Sequence, residues 1–154
     1  MADVTLEKIK ELRKHSKAGV MDCRCALEEC KGDIDEAKKW LLARGLLKAA
    51  KRVGREAKEG FIEAYSHNDG KIVAVVELFA ETDFVAKNED FRKLAHEIAM
   101  QVAAMNPKTT EELLCQPYIR DEKRTIDSLV KELAGTVGEN IAIGRIARFS
   151  LGQE

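Results

Sequence analysis

The stretch Thr82-Asp83-Phe84-Val85-Ala86-Lys87-Asn88-Glu89 sets a carboxylate beside an aromatic ring. It joins an apolar, β-branched run (Ile72 to Leu78) to an amphipathic helix opening near Asp90. Phe84 has two uses in such a loop. Folded inward, it staples the helix that follows; projecting, it offers a partner protein a wedge, because aromatic residues on loops serve recognition. The pattern alone leaves both open. Other chemistries fail on spacing. His96-Glu97 would open a zinc-protease pattern, but residue 100 is Met where a second His is required. Cys23-Arg24-Cys25 with Cys30 invites a metal, yet on a helix Cys23 and Cys25 point about 200° apart, and no second Cys/His pair stands at zinc-ligand spacing. A thiol redox role needs a low-pKa cysteine in an electropositive pocket, for which Arg24 is slender support. The glycines beside Val137 belong to no Walker or G-x-G-x-x-G pattern after a strand. Ser, His and Asp are scattered, and no carboxylate pair is placed by spacing. The chain reads as a binding protein, not an enzyme, with no cofactor and no metal.

The elements that carry these residues belong to a chain of 154 residues with 45% apolar and 34% charged content. Lys+Arg number 26 against 27 Asp+Glu, and the signs are interspersed. That balance gives no cationic field for direct nucleic-acid binding and no polybasic membrane anchor. No apolar run approaches a membrane span, and Met1 to Lys10 lacks the apolar core of a signal peptide. A cytoplasmic protein with reduced thiols at Cys23, Cys25, Cys30 and Cys115 is expected.

Val4 to Leu42 reads as three short helices. Leu6, Ile9 and Leu12 mark one face of the first, and Ser16-Lys17-Ala18-Gly19 breaks it. The second runs from about Val20 to Cys30, with Cys23, Ala26, Leu27 and Cys30 on one side, until Lys31-Gly32 ends it. Asp33 caps the third, with Glu36 in capping-box position; Ile34, Ala37, Trp40 and Leu41 face inward, and Gly45 is its expected stop. Trp40 is expected to supply much of a miniature core. Residues 46–58, with Lys48, Lys51, Arg52, Arg55 and Lys58, read as a basic linker.

From Gly60 the texture turns to strand. Phe61 to Ser66 and Lys71 to Leu78 flank His67-Asn68-Asp69-Gly70, a hairpin whose turn residues tolerate positive φ, with His67 at an exposed tip. Phe91, Leu94, Ala95, Ile98, Ala99 and Val102 repeat at helical spacing up to Asn106-Pro107. Thr109 and Glu112 open a short helix, and about Arg120 to Leu133 form another, followed by a loop through Gly135 to Asn140. Ile141 to Leu151 should join the hairpin as a third strand, with Ile141, Ile143, Ala147 and Phe149 on one face. The fold class is α+β: an N-terminal three-helix module over 1–45, the linker 46–58, and a core over 59–154 of a three-stranded antiparallel sheet packed with helices.

Two resemblances extend this reading. Gly19, Ala26-Leu27 and Gly32-Asp33-Ile34-Asp35-Glu36-Ala37 running to Trp40-Leu41-Leu42 resemble a UBA-type module. That likeness implies a ubiquitin-type adaptor as the alternative function. The whole chain resembles the elongation factor Ts family. The carriers are Glu11-Leu12-Arg13, Ala18-Gly19-Val20-Met21-Asp22-Cys23, Ala26-Leu27, Gly32-Asp33-Ile34, Tyr65, His67, Gly70-Lys71-Ile72, Glu81 to Asn88, and Val137-Gly138-Glu139-Asn140-Ile141. This resemblance implies a guanine-nucleotide exchange factor that binds GDP-bound and nucleotide-free elongation factor Tu. Thr82, Asp83, Phe84 and Val85 would form the loop that intrudes and disturbs the partner's magnesium. It further implies partner contacts by Arg13, Val20 and Met21, and by His67, Val137 and Gly138. The single core unit is similar to short members of the family, so His67 is expected to act from a second copy, in a homodimer formed through the three-stranded sheet.

Overall fold

A computed structural model describes residues 4–153. Three helices come first: α1 (Leu6–Ser16), α2 (Val20–Glu29) and α3 (Ile34–Ala50). Their ends are set by local chemistry. Thr5 Oγ1 accepts from Lys8 N at 3.3 Å and Asp33 Oδ1 accepts from Glu36 N at 2.9 Å, each satisfying a helix-start amide. Lys17, Lys31 and Gly32 adopt positive φ and turn the chain after α1 and α2. Leu12, Cys23, Ala26, Leu27, Ala37 and Leu41 form the buried cluster. Leu6, expected inward, is exposed. Trp40 sits half-buried at the rim, with the Arg44 guanidinium 4.9 Å from its ring centre, so small residues and the leucines Leu12, Leu27 and Leu41 do the filling expected of it.

The remaining elements are β1 (Glu59–His67), β2 (Ile72–Ala80), α4 (Asp83–Ala86), α5 (Glu89–Met105), α6 (Thr110–Cys115), β3 (Pro117–Tyr118), β4 (Asp121–Thr125), α7 (Ile126–Val137) and β5 (Ala142–Ser150). The fold is α+β, as expected. β1, β2 and β5 form an antiparallel sheet in that order. Its tight turn has Asn68, Asp69 and Gly70 at φ 53°, 54° and 81°, the conformation their residue types favour. α5 lies on one face and buries Phe91, Leu94, Ala95, Ile98, Ala99 and Val102 against Ala74, Val76, Leu78 and Ala80 of β2.

Four further expectations need correction. α3 does not stop at Gly45 but runs on to Ala50, and α7 continues through Gly135 to Val137. Both glycines serve a crossing instead of an ending: a Cβ on Gly135 would stand 2.4 Å from the Gly45 carbonyl oxygen, so the two helices meet backbone to backbone. Third, Asp121–Thr125 is strand β4, paired with β3; α7 begins only after Thr125, whose side chain forms a capping box with Ser128.

The fourth concerns β5. Val76 pairs with Ile146 and Leu78 with Ile143, so Gly144 and Arg145 together oppose Glu77 in a β-bulge. The side-chain phase flips there. Ile141 and Ile143 face α5 as expected, but Ile146 and Arg148 then take the inner positions, and Ala147 and Phe149 turn to the outer face. Glu77 fills the bulge, accepting from Arg145 N at 2.8 Å, Nε at 3.0 Å and Nη2 at 2.6 Å. These bonds hold its carboxyl down at about 2 instead of 4.5.

Two outcomes follow. Gly135→Ala should lower stability by about 2 kcal/mol in urea unfolding, although an ordinary helical Gly→Ala change gains about 1 kcal/mol, because the added methyl forces the helices apart. A gain in the urea midpoint would contradict the crossing. A depressed carboxyl pKa contributes stability that is complete above pH 4.5 and lost as pH falls toward 2. Urea midpoints measured from pH 7 downward should therefore fall less steeply across that window in Glu77→Gln than in the native chain.

Candidate functional site

β2 ends at Ala80, and Glu81 and Thr82 lead into α4, a single turn of four residues. Thr82 caps it, its Oγ1 accepting from Val85 N at 3.4 Å, while Ala86 N and Lys87 N donate to the Thr82 and Asp83 carbonyls at 3.2 and 3.0 Å. Asn88 then caps α5 through a 2.8 Å bond from Asp90 N. Val85 and Ala86 are buried, and at helical spacing this forces the preceding ring outward: Phe84 is 84% exposed. Arg92 Nε donates to the Ala86 carbonyl at 3.0 Å and closes the turn from below. Asp83 also points to solvent. Lys87 Nζ lies 2.9 Å from its carboxylate and draws its pKa below the ordinary range. The sequence-level ambiguity over Phe84 thus resolves as projection. Of the four intruding residues expected, Asp83 and Phe84 are presented; Thr82 and Val85 hold the turn.

A second turn stands beside this one. α7 ends at Gly138, φ 76°, which redirects the chain so that Glu139 faces back toward β2. Its Oε1 accepts from Glu81 N at 3.1 Å and Thr82 N at 2.9 Å, and its Oε2 accepts from the Thr82 hydroxyl at 2.7 Å. Glu81 returns a bond, its Oε1 accepting from Asn140 N at 2.6 Å. Asn140 Nδ2 donates in turn to the Arg55 carbonyl at 2.8 Å. Val137 and Gly138 are therefore brought to the Thr82 turn, both of them half-buried.

The three-helix segment reaches the same end of the molecule. Lys17 Nζ bonds the Asp90 carboxylate at 2.5 and 2.6 Å, which pins the α1–α2 loop to the start of α5. Just beyond that loop Val20 and Met21 are 47% and 65% exposed, and Arg13 is exposed on α1. Lys10, Arg13, Lys14 and Lys17 line a shallow basic groove there.

His67 is elsewhere. It pairs with Ile72, whereas Ala80 pairs with Glu59, so β2 separates it from Thr82 by eight strand steps, about 26 Å. At that far end Tyr65 Oη lies 3.1 Å from His67 Nδ1 with the rings stacked; nearer the middle of β1, His96 Nδ1 lies 3.1 Å from Glu63 Oε1. Among the described residues no group of His, Cys, Asp and Glu could hold a metal ion, and no helix is long and apolar enough to cross a membrane. Glu81, Glu139, Asn140 and Lys87 carry no site role on sequence grounds alone. Lys87, four residues after Asp83, had a local signal; Glu139 had none, because its partners lie more than fifty residues away.

Comparison with known proteins gives this geometry a family. Residues 81–154, which contain both turns, match the family model described as Elongation factor TS. The chain is 40% identical to the elongation factor Ts of Oleidesulfovibrio alaskensis over 197 aligned positions, covering 99% of this chain and all of the relative. It is 40% identical to that of Nitratidesulfovibrio vulgaris, covering 98% of each, and 35% identical to that of Coprothermobacter proteolyticus, covering 98% of this chain and all of that relative. Such coverage places the molecule among the translation elongation factors. The chain belongs to the elongation factor Ts family. Since 197 aligned positions exceed 154 residues, the Oleidesulfovibrio relative has residues without a counterpart here.

Proposed function

We propose that this chain is a guanine-nucleotide exchange factor for elongation factor Tu, acting in the cytoplasm without catalysing a chemical reaction. In this reading Asp83 and Phe84 enter the GTPase domain, disturb the magnesium held there and release GDP, so that GTP can bind. The observation that carries it is the ring of Phe84, held in water on a capped turn. A ring presented in this way needs no rearrangement before it docks. Magnesium demands near-ideal octahedral geometry and bridges phosphate oxygens to protein, so a small displacement of its surroundings costs much of the nucleotide's affinity. Reciprocity does the rest: whatever factor the exchanger removes from nucleotide binding, nucleotide removes from exchanger binding, and each displaces the other. A thousandfold acceleration corresponds to about 4 kcal/mol, within reach of one buried aromatic anchor and its neighbours.

Arg13, Val20 and Met21 supply a second grip from the UBA-like module, taken as residues 1–45, with α3 running on through the first part of the linker 46–58 that leads to the core 59–154. Val137 and Gly138 flank the wedge. His67 reaches the partner from a second copy, since within one chain it stands at the other end of the sheet. The outer sheet face is suited to self-association: Ala64, Val75 and Ala147 align across it, as do Val73 and Phe149, with Ile62 and Phe149 58% and 69% exposed. The alternative adaptor function would leave the Phe84 turn without a role.

The test is release of a fluorescent GDP analogue from elongation factor Tu. The native chain should accelerate it, and Phe84→Ala should lose on the order of a hundredfold with its circular dichroism unchanged. Absence of acceleration at every magnesium concentration would defeat the proposal. Sedimentation addresses the second copy: the native chain should run as a dimer and Phe149→Arg as a monomer with weakened exchange. A monomeric native chain with full activity would rule out the composite site.

A further inference from the structure

We propose that Glu139 is a positioning residue for the Asp83–Phe84 wedge, an anionic clamp that makes the two neighbouring turns one recognition unit. The proposal rests on the exchange reading above and adds to it the group that aims the wedge. An isolated helical turn has no stability of its own, because one hydrogen bond cannot offset the ordering of its residues. α4 has only four residues, so its conformation must be imposed from outside. Below, Val85 and Ala86 anchor it in the core. Above, the Glu139 carboxylate takes both amides that lead into the turn, Glu81 N and Thr82 N, together with the Thr82 hydroxyl.

That third bond carries the argument. The Thr82 hydroxyl donates its proton to Glu139 Oε2, which leaves its lone pairs to accept from Val85 N and cap α4. A hydroxyl free to rotate would divide its time among acceptors; one fixed by a carboxylate is a dedicated cap, and bonds to an ionised acceptor are about twice as strong as neutral ones. The return bond from Asn140 N to Glu81 Oε1 makes the link two-way, and Asn140 Nδ2 extends it to the Arg55 carbonyl. Gly138 supplies the positive φ that turns Glu139 toward β2. Neither acid needs to touch the partner. Each fixes the backbone from which Phe84 projects.

Hydrogen exchange and GDP release test this together in the full-length chain. In Glu139→Ala the amides of Glu81, Thr82 and Val85 should exchange on the order of tenfold faster, while those of α5 keep their protection. GDP release should slow by about tenfold, and Glu139→Gln, which keeps the shape without the charge, should fall between. In a Phe84→Ala background the same Glu139→Ala change should cost less than about twofold, because a group that acts through the ring has nothing left to aim. Equal losses in both backgrounds, unchanged release, or unchanged exchange at Glu81 and Thr82 would overturn the clamp. If the native chain releases no GDP, the exchange reading fails by itself, and the amide protection still decides whether Glu139 holds the turn.

Discussion

The contact on which the arrangement depends is the crossing of α3 over α7 at Gly45 and Gly135. The three-helix cluster is small, with Leu12 and Leu27 its largest fully buried side chains, and a core of that size has little stability to spare. Removing both side chains at the crossing lets the backbones touch, which converts a loose neighbour into a packed one. The Lys17–Asp90 pair then acts at the margin of that contact, while Lys48–Asp22 ties α3 to α2 within the three-helix cluster. Both are partly open to water and contribute little energy, but Lys17–Asp90 selects one orientation among those the crossing permits. Val20 and Met21 thereby stand on the same side of the molecule as Phe84.

What could be read from the chain was what short-range chemistry decides. Asn68, Asp69 and Gly70 announce a reversal because their residue types tolerate positive φ; α5 ends because Asn106 takes the left-handed cap and Pro107 bars the residue before it from the helical region; Asp33 and Thr109 cap because their side chains reach their own third amide. Gly45 and Gly135 misled because a glycine that ends a helix and one that admits a neighbouring backbone look alike until the neighbour is known. Asp121–Thr125 is polar enough for a helix surface, and its strand character comes from Pro117 and Tyr118 across the ladder.

The site divides along the same line. Asp83 beside Phe84 was visible as a pair, but the direction of the ring depends on Val85 and Ala86 finding the core, and that is settled by β2 and α5 together. Glu139 could not be found by spacing at all. The family resemblance drew attention to the residues around it, yet its bonds to Thr82 exist only because β5 runs back alongside β2 and brings the end of α7 with it.

The bulge at Gly144 and Arg145 bears on how the sheet edge would meet a further strand. β1 and β5 are both edges, and an edge strand with an apolar face is a template on which further strands can stack without limit. A second residue opposite Glu77 interrupts the regular ladder of β5 and increases its local twist, so an incoming strand cannot match it along its length. The Glu77–Arg145 ion pair meanwhile sets charge among the outward valines and phenylalanines. The sheet can thus carry an exposed apolar face while its flank discourages open-ended growth into fibres.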